Sequence, residues 1–207
     1  MTRGLIIGVI AMAIIVVASN ILVQFLMGDW LTWGAFTYPF AFLVTDLMNR
    51  VYGVSQARKV VFAGFVVGVI SSLIGTQIML EYGPAVSLRI AIGSGIAFLA
   101  AQLTDVLVFD RLRMRRWWKA PLVSSFIGSA LDTLLFFSIS FSALFIFLDA
   151  SQPNGWAREV IPMLGFGPDA PLWVSLALAD FAVKMSLALV ALGPYRLALG
   201  WLRTVRA

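Results

Sequence analysis

The chain has 207 residues, 61% of them hydrophobic and 12% charged, with a formal net charge of +5 and a mean hydropathy of +0.96. Soluble domains sit nearer half apolar and a quarter charged, so this excess excludes a water-faced globule and points to an integral membrane protein. Cysteine and histidine are absent, which excludes disulfides, thiolate or imidazole metal sites, HExxH zinc chemistry and a Ser-His-Asp triad.

The first apolar run lies in MTRGLIIGVIAMAIIVVASNILVQF and follows a basic residue, as in a signal peptide. It extends from Leu5 to Met27, too long for a signal core, and no small-residue cleavage site ends it. It therefore reads as the first transmembrane helix. Asn20 and Gln24 lie one turn apart on it, as interhelical glue or as ligand contacts. The second run, about residues 32–49, is the shortest and carries Pro39, which permits a kink. It closes on FLVTDLMNR, where Asp46 and Arg50 stand one turn apart, acid before base, with Asn49 between them. That spacing predicts an ion pair at the inner mouth; a structural and a functional role are both open to it. Tyr38 and Phe42 lie above Asp46 on the same face and suit core packing or stacking on a planar ligand.

The third run, about 58–80, sets Gly64, Gly68 and Ser72 on one face. The fourth, about 88–109, does the same with Gly93, Ala97 and Ala101. Both stripes allow close helix packing and need no chemistry. The fourth run also carries Gln102 and Asp105 on one face, a carboxylate beside a carboxamide. The fifth, about 121–148, is long enough to tilt or to continue as a helix outside the bilayer, with Asp132 near mid-depth. DASQPNGWAREVIPMLGFGPDAP follows, rich in Pro and Gly, and reads as an ordered or lid-like loop. The sixth, about 172–193, holds Asp180 and Lys184 one turn apart near mid-depth. Neutralisation of Lys184 by Asp180 would leave Asp132 free to meet a ligand donor or to carry a proton.

Lys and Arg settle the orientation. Arg3; Arg50, Arg58 and Lys59; Arg111, Arg113, Arg115, Arg116 and Lys119; and Arg196, Arg203 and Arg206 fall at alternate ends of the six runs. This bias predicts six spans in one domain, residues 1–207, with both termini in the cytoplasm. RLRMRRWWK reads as a cytoplasmic loop at anionic lipid, so the positive charge needs no nucleic acid. Trp30, Trp33, Trp156 and Trp173 fall at outer boundaries as belt residues. GxxxxGK[ST] is missing, so no ATP hydrolysis is expected of the chain itself. A faint internal echo links LVTDLMNR, QLTDVLVF and LALADFAVK on the even-numbered runs.

Each charge at helix centre costs on the order of 3 kcal/mol on insertion scales. Several Asp and a Lys inside a six-helix bundle must therefore face inward and find partners. No redox motif, nucleophile elbow or metal cluster accompanies them, so no cofactor and no enzymatic activity are expected. Carboxylates, carboxamides and a lysine at mid-depth are what a transporter of a small polar solute needs.

TYPFAFLVTDLMNRVYG followed by ARKVVFAGF, then AQLTDVLVFDRLR and ALDTLLFFSISF, resemble the queuosine precursor transporters of the vitamin uptake transporter group. The resemblance runs from about residue 30 to 193. It implies import of the 7-deazaguanine bases preQ0 and preQ1 across the bacterial inner membrane for tRNA modification. It also implies an all-α architecture similar to the substrate-binding subunits of energy-coupling-factor transporters, working as a secondary transporter without their ATPase. A 7-deazaguanine presents adjacent N–H donors and one carbonyl. An ionised Asp can accept the donors, and a Gln, Asn or Lys can meet the carbonyl. Asp105 with Gln102 is the candidate base-reading pair, and Asp132 the candidate second acid for the ammonium of preQ1. A homodimer and a coupling proton or ion stay open. So do two alternatives: a subunit docking an ATPase complex through Gly4 and Gly8, and a lipid-active enzyme built on Asp46, Asn49 and Arg50.

Overall fold

The computed structural model describes residues 3–81, 83–149 and 154–204. The first apolar run forms helix α1 (Arg3–Leu22). It buries Leu5, Gly8, Met12, Val16 and Ser19, spaced three and four apart. Ile6, Ile10, Ile14, Val17 and Ile21 stay on its outer surface. That stripe of exposed aliphatics is lipid-facing, because no other solvent makes it favourable.

The second run is broken, as Pro39 predicts. Helix α2 (Gly34–Thr37) stops, and α3 (Phe40–Tyr52) starts at Pro39. Pro39 offers no N–H to the Ala35 carbonyl, so the ladder is interrupted there. Together the two pieces travel the length of α1. Gly34 packs on the backbone of Val23, and the hydroxyls of Ser19 and Thr37 are 2.8 Å apart. At the other end Gly8 receives Met48 and Gly4 receives Tyr52, where an added Cβ would overlap the ring. The GxxxG of Gly4 and Gly8, a candidate docking seam, is thus filled from inside the bundle.

Gly53 has φ of 85°, a left-handed turn open to glycine. It reverses the chain within one residue, so α4 (Val54–Gln77) begins earlier than the sequence suggests. Gly64 and Gly68 seat Met12 and Val16 of α1, and Gly93 of α5 (Leu88–Leu112) seats Ser140 of α6 (Lys119–Phe141). The small-residue stripes therefore pack helices, as expected.

The fifth run does not continue as one helix to residue 148. It ends at Phe141, and Ala143–Leu148 is a 3-10 turn. Buried Arg89 supplies the reason. Its guanidinium donates to the carbonyls of Ile139, at 2.6 Å, and Ser142, the last acceptors of α6. The Ser142 hydroxyl then accepts the Leu144 N–H at 3.2 Å and turns the chain. The sixth run is longer than expected: α7 (Leu172–Thr204) has 33 residues, passes through Pro194 and reaches about 50 Å.

Three short antiparallel hairpins close the same end of the bundle. Leu26–Met27 pairs with Leu31–Thr32, Met79–Leu80 with Gly83–Pro84, and Val160–Pro162 with Asp169–Pro171. The last one orders much of the Pro- and Gly-rich loop; its residues 150–153, like Arg206, lie outside the described residues.

Among the described residues five helices are long and apolar enough to cross a membrane: α1, α4, α5, α6 and α7. The protein is an all-α integral membrane bundle. Helix α3 falls short because it has 13 residues and spends several of them on polar groups.

Candidate functional site

Polarity in this bundle is inverted. Aliphatic side chains cover the outside, while Thr45, Asp46, Asn49, Gln102, Asp105, Ser124, Asp132 and Lys184 are buried. They form two groups.

The first joins α6 and α7. Lys184 Nζ lies 2.7 Å from Asp132 Oδ2, 2.5 Å from Asp180 Oδ2 and 3.2 Å from Thr133 Oγ1. Its three donors are all used. Thr133 donates to Asp180 Oδ2 at 2.9 Å, and the Tyr38 hydroxyl donates to Asp132 Oδ1 at 2.9 Å. The ammonium also stands 5.4 Å from the Tyr38 ring centroid. The expectation that Asp180 alone neutralises Lys184 and frees Asp132 is therefore corrected. Lys184 bridges both acids, and Asp132 is a committed partner. A one-turn spacing reveals Asp180 to Lys184, but nothing local reveals a contact reached from α6. Tyr38 is likewise a hydrogen-bond donor rather than a free stacking face; its ring packs edge-on against Phe42 and Phe98.

The second group joins α3, α5 and α6. Thr45 Oγ1 lies 2.7 Å from Gln102 Oε1 and 3.0 Å from the Ala41 carbonyl, with one proton to serve the two, and Asn49 Nδ2 donates to the Val106 carbonyl at 2.9 Å. Between these two bonds the carboxyl groups of Asp46 and Asp105 face each other closely enough to interact. Ser124 reaches Asp46 Oδ1 at 3.3 Å. Several atoms here are left without a well-formed partner: Asn49 Oδ1, Gln102 Nε2 and both carboxylate oxygens of Asp105. Buried polar atoms are nearly always satisfied, so these atoms have capacity for a further partner.

Asp46 and Arg50 do not form the predicted ion pair. Arg50 Nε donates to the Tyr195 hydroxyl at 3.0 Å, Nη1 donates to the Arg113 carbonyl, and the guanidinium lies 5.2 Å from the Phe109 ring centroid. The Arg113 carbonyl sits at the C-terminal end of α5, where unpaired carbonyls and the helix dipole attract a cation. Arg50 therefore ties α3 to α5 and α7. Its described hydrogen bonds thus point away from Asp46 and Asn49, and Nη2 is left without a partner.

Asn20 is half-buried on α1, and Gln24 is exposed in the turn that follows. Among the described residues no side-chain hydrogen bond draws either into the two groups. Both lie outside the two groups.

A cavity of about 20 Å³ lies between the groups, lined among others by Asp46, Ser125, Ser129, Lys184 and Tyr195. It has room for about one water, so the bundle is closed around its polar interior. The α6 serines were missed by the sequence reading, yet Pro121, Ser124, Ser125, Gly128, Ser129, Asp132 and Thr133 trace one helical face in PLVSSFIGSALDT. That run of small and polar positions at three- and four-residue spacing was the available signal.

The chain is 35% identical over 192 residues to the queuosine precursor transporter of Escherichia coli (strain K12), over 86% of this chain and 77% of that protein. It is 42% identical over 122 residues to the probable queuosine precursor transporter of Haemophilus influenzae, covering 53% and 52% of the two chains. The probable queuosine precursor transporter of Bacillus subtilis is 26% identical over 192 residues, 84% of this chain and 73% of that one. No solved structure gives a significant match. Residues 32–198 match the family model described as a putative vitamin uptake transporter. That stretch takes in both buried groups from Tyr38 to Tyr195, and with it the chain belongs to the putative vitamin uptake transporter family.

Proposed function

We propose that the protein is a secondary transporter, not an enzyme, that imports 7-deazaguanine queuosine precursors, preQ0 and preQ1, across the bacterial inner membrane. It crosses six times with both termini in the cytoplasm. The α2–α3 pair acts as the second crossing, a role supported by its running alongside α1 from Val23 to Gly4.

The reading is supported above all by the orphaned polar atoms of Asp105 and Gln102. An ionised Asp105 accepts the base's N1–H and 2-amino donors, and Gln102 Nε2 donates to its carbonyl. Asn49 Oδ1 offers a further acceptor. Phe42 is buried beside the cavity and walls the planar ring. The closed cavity is far smaller than a purine-sized base, so α3 and its neighbours must part to admit one. Work without an ATPase is consistent with a Gly4–Gly8 seam already filled by Tyr52 and Met48.

The test is uptake of labelled preQ0 and preQ1 into cells that lack base synthesis and express this chain. Accumulation is expected with the wild type and not with Asp105→Asn at equal membrane abundance. Absence of uptake for both bases by the wild type would overturn the reading.

A further inference from the structure

The α3–α5–α6 group contains two carboxyl groups, and base reading uses only Asp105. Asp46 is 2% exposed, and besides Asp105 its described side-chain hydrogen bond is the long one from Ser124. The cations around it make their described hydrogen bonds elsewhere. On α3, Arg50 sends Nε to Tyr195 and Nη1 to the Arg113 carbonyl, which leaves Nη2 without a hydrogen-bond partner and its charge within range of Asp46. On α7, Lys184 lines the same cavity but is held by Asp132, Asp180 and Thr133. Arg3 on α1 and Arg58 and Lys59 on α4 are exposed at the surface. On α5 it faces Asp105, another acid. Two ionised carboxylates in an apolar interior, with no ion pair to either among the described residues, repel strongly; one proton shared between them removes the conflict.

We infer that Asp46 is the counter-charge for a primary ammonium on the transported base, and that this ammonium displaces a proton which Asp46 and Asp105 otherwise share. The inference rests on the proposed transport of 7-deazaguanines with Asp105 on the base edge. It replaces Asp132, which Lys184 already holds, as the second acid.

In the empty site one O–H proton bridges the two carboxyls. As a base enters, its ring separates them. The N1–H and 2-amino groups donate to Asp105. An aminomethyl ammonium, as in preQ1, donates to Asp46, and the bridging proton leaves to solvent. A neutral nitrile, as in preQ0, leaves that proton on Asp46. Both loaded sites then hold the same net charge, so one closed bundle accommodates a cationic and a neutral base alike. The uncommitted Asp46 is what gives the site this tolerance.

Isothermal titration of the purified, full chain in detergent, in two buffers of different ionisation enthalpy, counts the protons. Release of about one proton is expected with preQ1 and about none with preQ0. Affinity for preQ1 should rise about tenfold per pH unit while the shared proton is held, and affinity for preQ0 should stay flat. Asp46→Asn, which copies the shape of the neutral acid, should weaken preQ1 relative to preQ0 on the order of a hundredfold. Equal proton counts for the two bases, or unchanged selectivity in Asp46→Asn, would overturn the inference while leaving transport intact. A wild type that binds neither base overturns the transport reading and this one with it. Should Asp46→Asn fail to insert, the wild-type proton counts decide alone.

Discussion

Two buried polar groups sit in one bundle, and they differ in how well they are satisfied. Around Lys184 every ammonium donor has an acceptor, and Asp132 and Asp180 both receive hydrogen bonds. Around Asp105 neither carboxylate oxygen has a well-formed hydrogen bond, the facing group is a second acid, Asp46, and the Gln102 amide nitrogen has no acceptor. Burial is the same in both: Asp105 is 0% exposed and Lys184 3%. Depth of burial therefore does not separate the two groups; the number of hydrogen-bond partners does. The satisfied group holds α6 to α7 and receives α3 through Tyr38. The unsatisfied group waits at the seam of α3 and α5.

The largest expected effect breaks the satisfied group. Lys184→Met leaves two carboxylates buried without a cation, a loss of about 3–5 kcal/mol when one side of a buried ionic contact is removed. Asp132→Asn or Asp180→Asn leaves one acid against one ammonium and should cost clearly less. Thermal unfolding of the purified variants ranks them. If Asp132→Asn destabilises as much as Lys184→Met, the charge balance drawn here is wrong.

The unsatisfied group should answer in the opposite way. Asp105→Asn removes a buried carboxylate with no well-formed hydrogen bond, and its amide N–H can replace the proton shared with Asp46, so stability should hold within about 1 kcal/mol. Uptake should fall more than about a hundredfold, since the bidentate acceptor for the base edge is gone. Measured together, the melting temperature and the uptake rate of this variant move apart. A variant that melts early and still transports would assign Asp105 to the scaffold and reverse the comparison.

Much of this was legible in the sequence. The apolar runs, the break at Pro39 and the packing faces of Gly64, Gly68 and Gly93 follow from hydropathy and residue size, which are local properties. The ionisable residues of the interior were also recognisable, because a charge inside an apolar run has no cheap alternative to facing inward. Their partners were not. An i, i+4 spacing permits Asp46 to pair with Arg50 and Asp180 with Lys184 to the same degree, yet only the second pair forms. Arg50 has a long side chain near a helix end, and the carbonyl of Arg113 and the hydroxyl of Tyr195 come within its reach only after folding. The end of α6 at Phe141 was hidden for the same reason, since Arg89 closes it from another helix. Local spacing shows which pairs can form, and tertiary competition selects among them.

The smallest expected effect sharpens the comparison at its inner edge, where Arg50 stands beside the unsatisfied group without joining it. Tyr195→Phe removes one hydrogen bond to the guanidinium, which is worth about 1.5–3 kcal/mol to a charged group at most and less here, because the Arg113 carbonyl and the Phe109 ring remain. A loss near 1 kcal/mol is expected. A double-mutant cycle between Arg50→Met and Tyr195→Phe should recover a similar coupling, because the two side chains touch at 3.0 Å. The same cycle between Arg50→Met and Asp46→Asn should give a smaller coupling, because no hydrogen bond or ion pair joins those two side chains. Uptake of preQ0 by Tyr195→Phe should stay within about threefold of the wild type, since helix positioning and not base contact is lost. Were the Arg50–Asp46 coupling the larger of the two, Arg50 would belong with the carboxyl pair as its cation. The shared proton would then be unnecessary, and the contrast between a satisfied and an unsatisfied group would disappear.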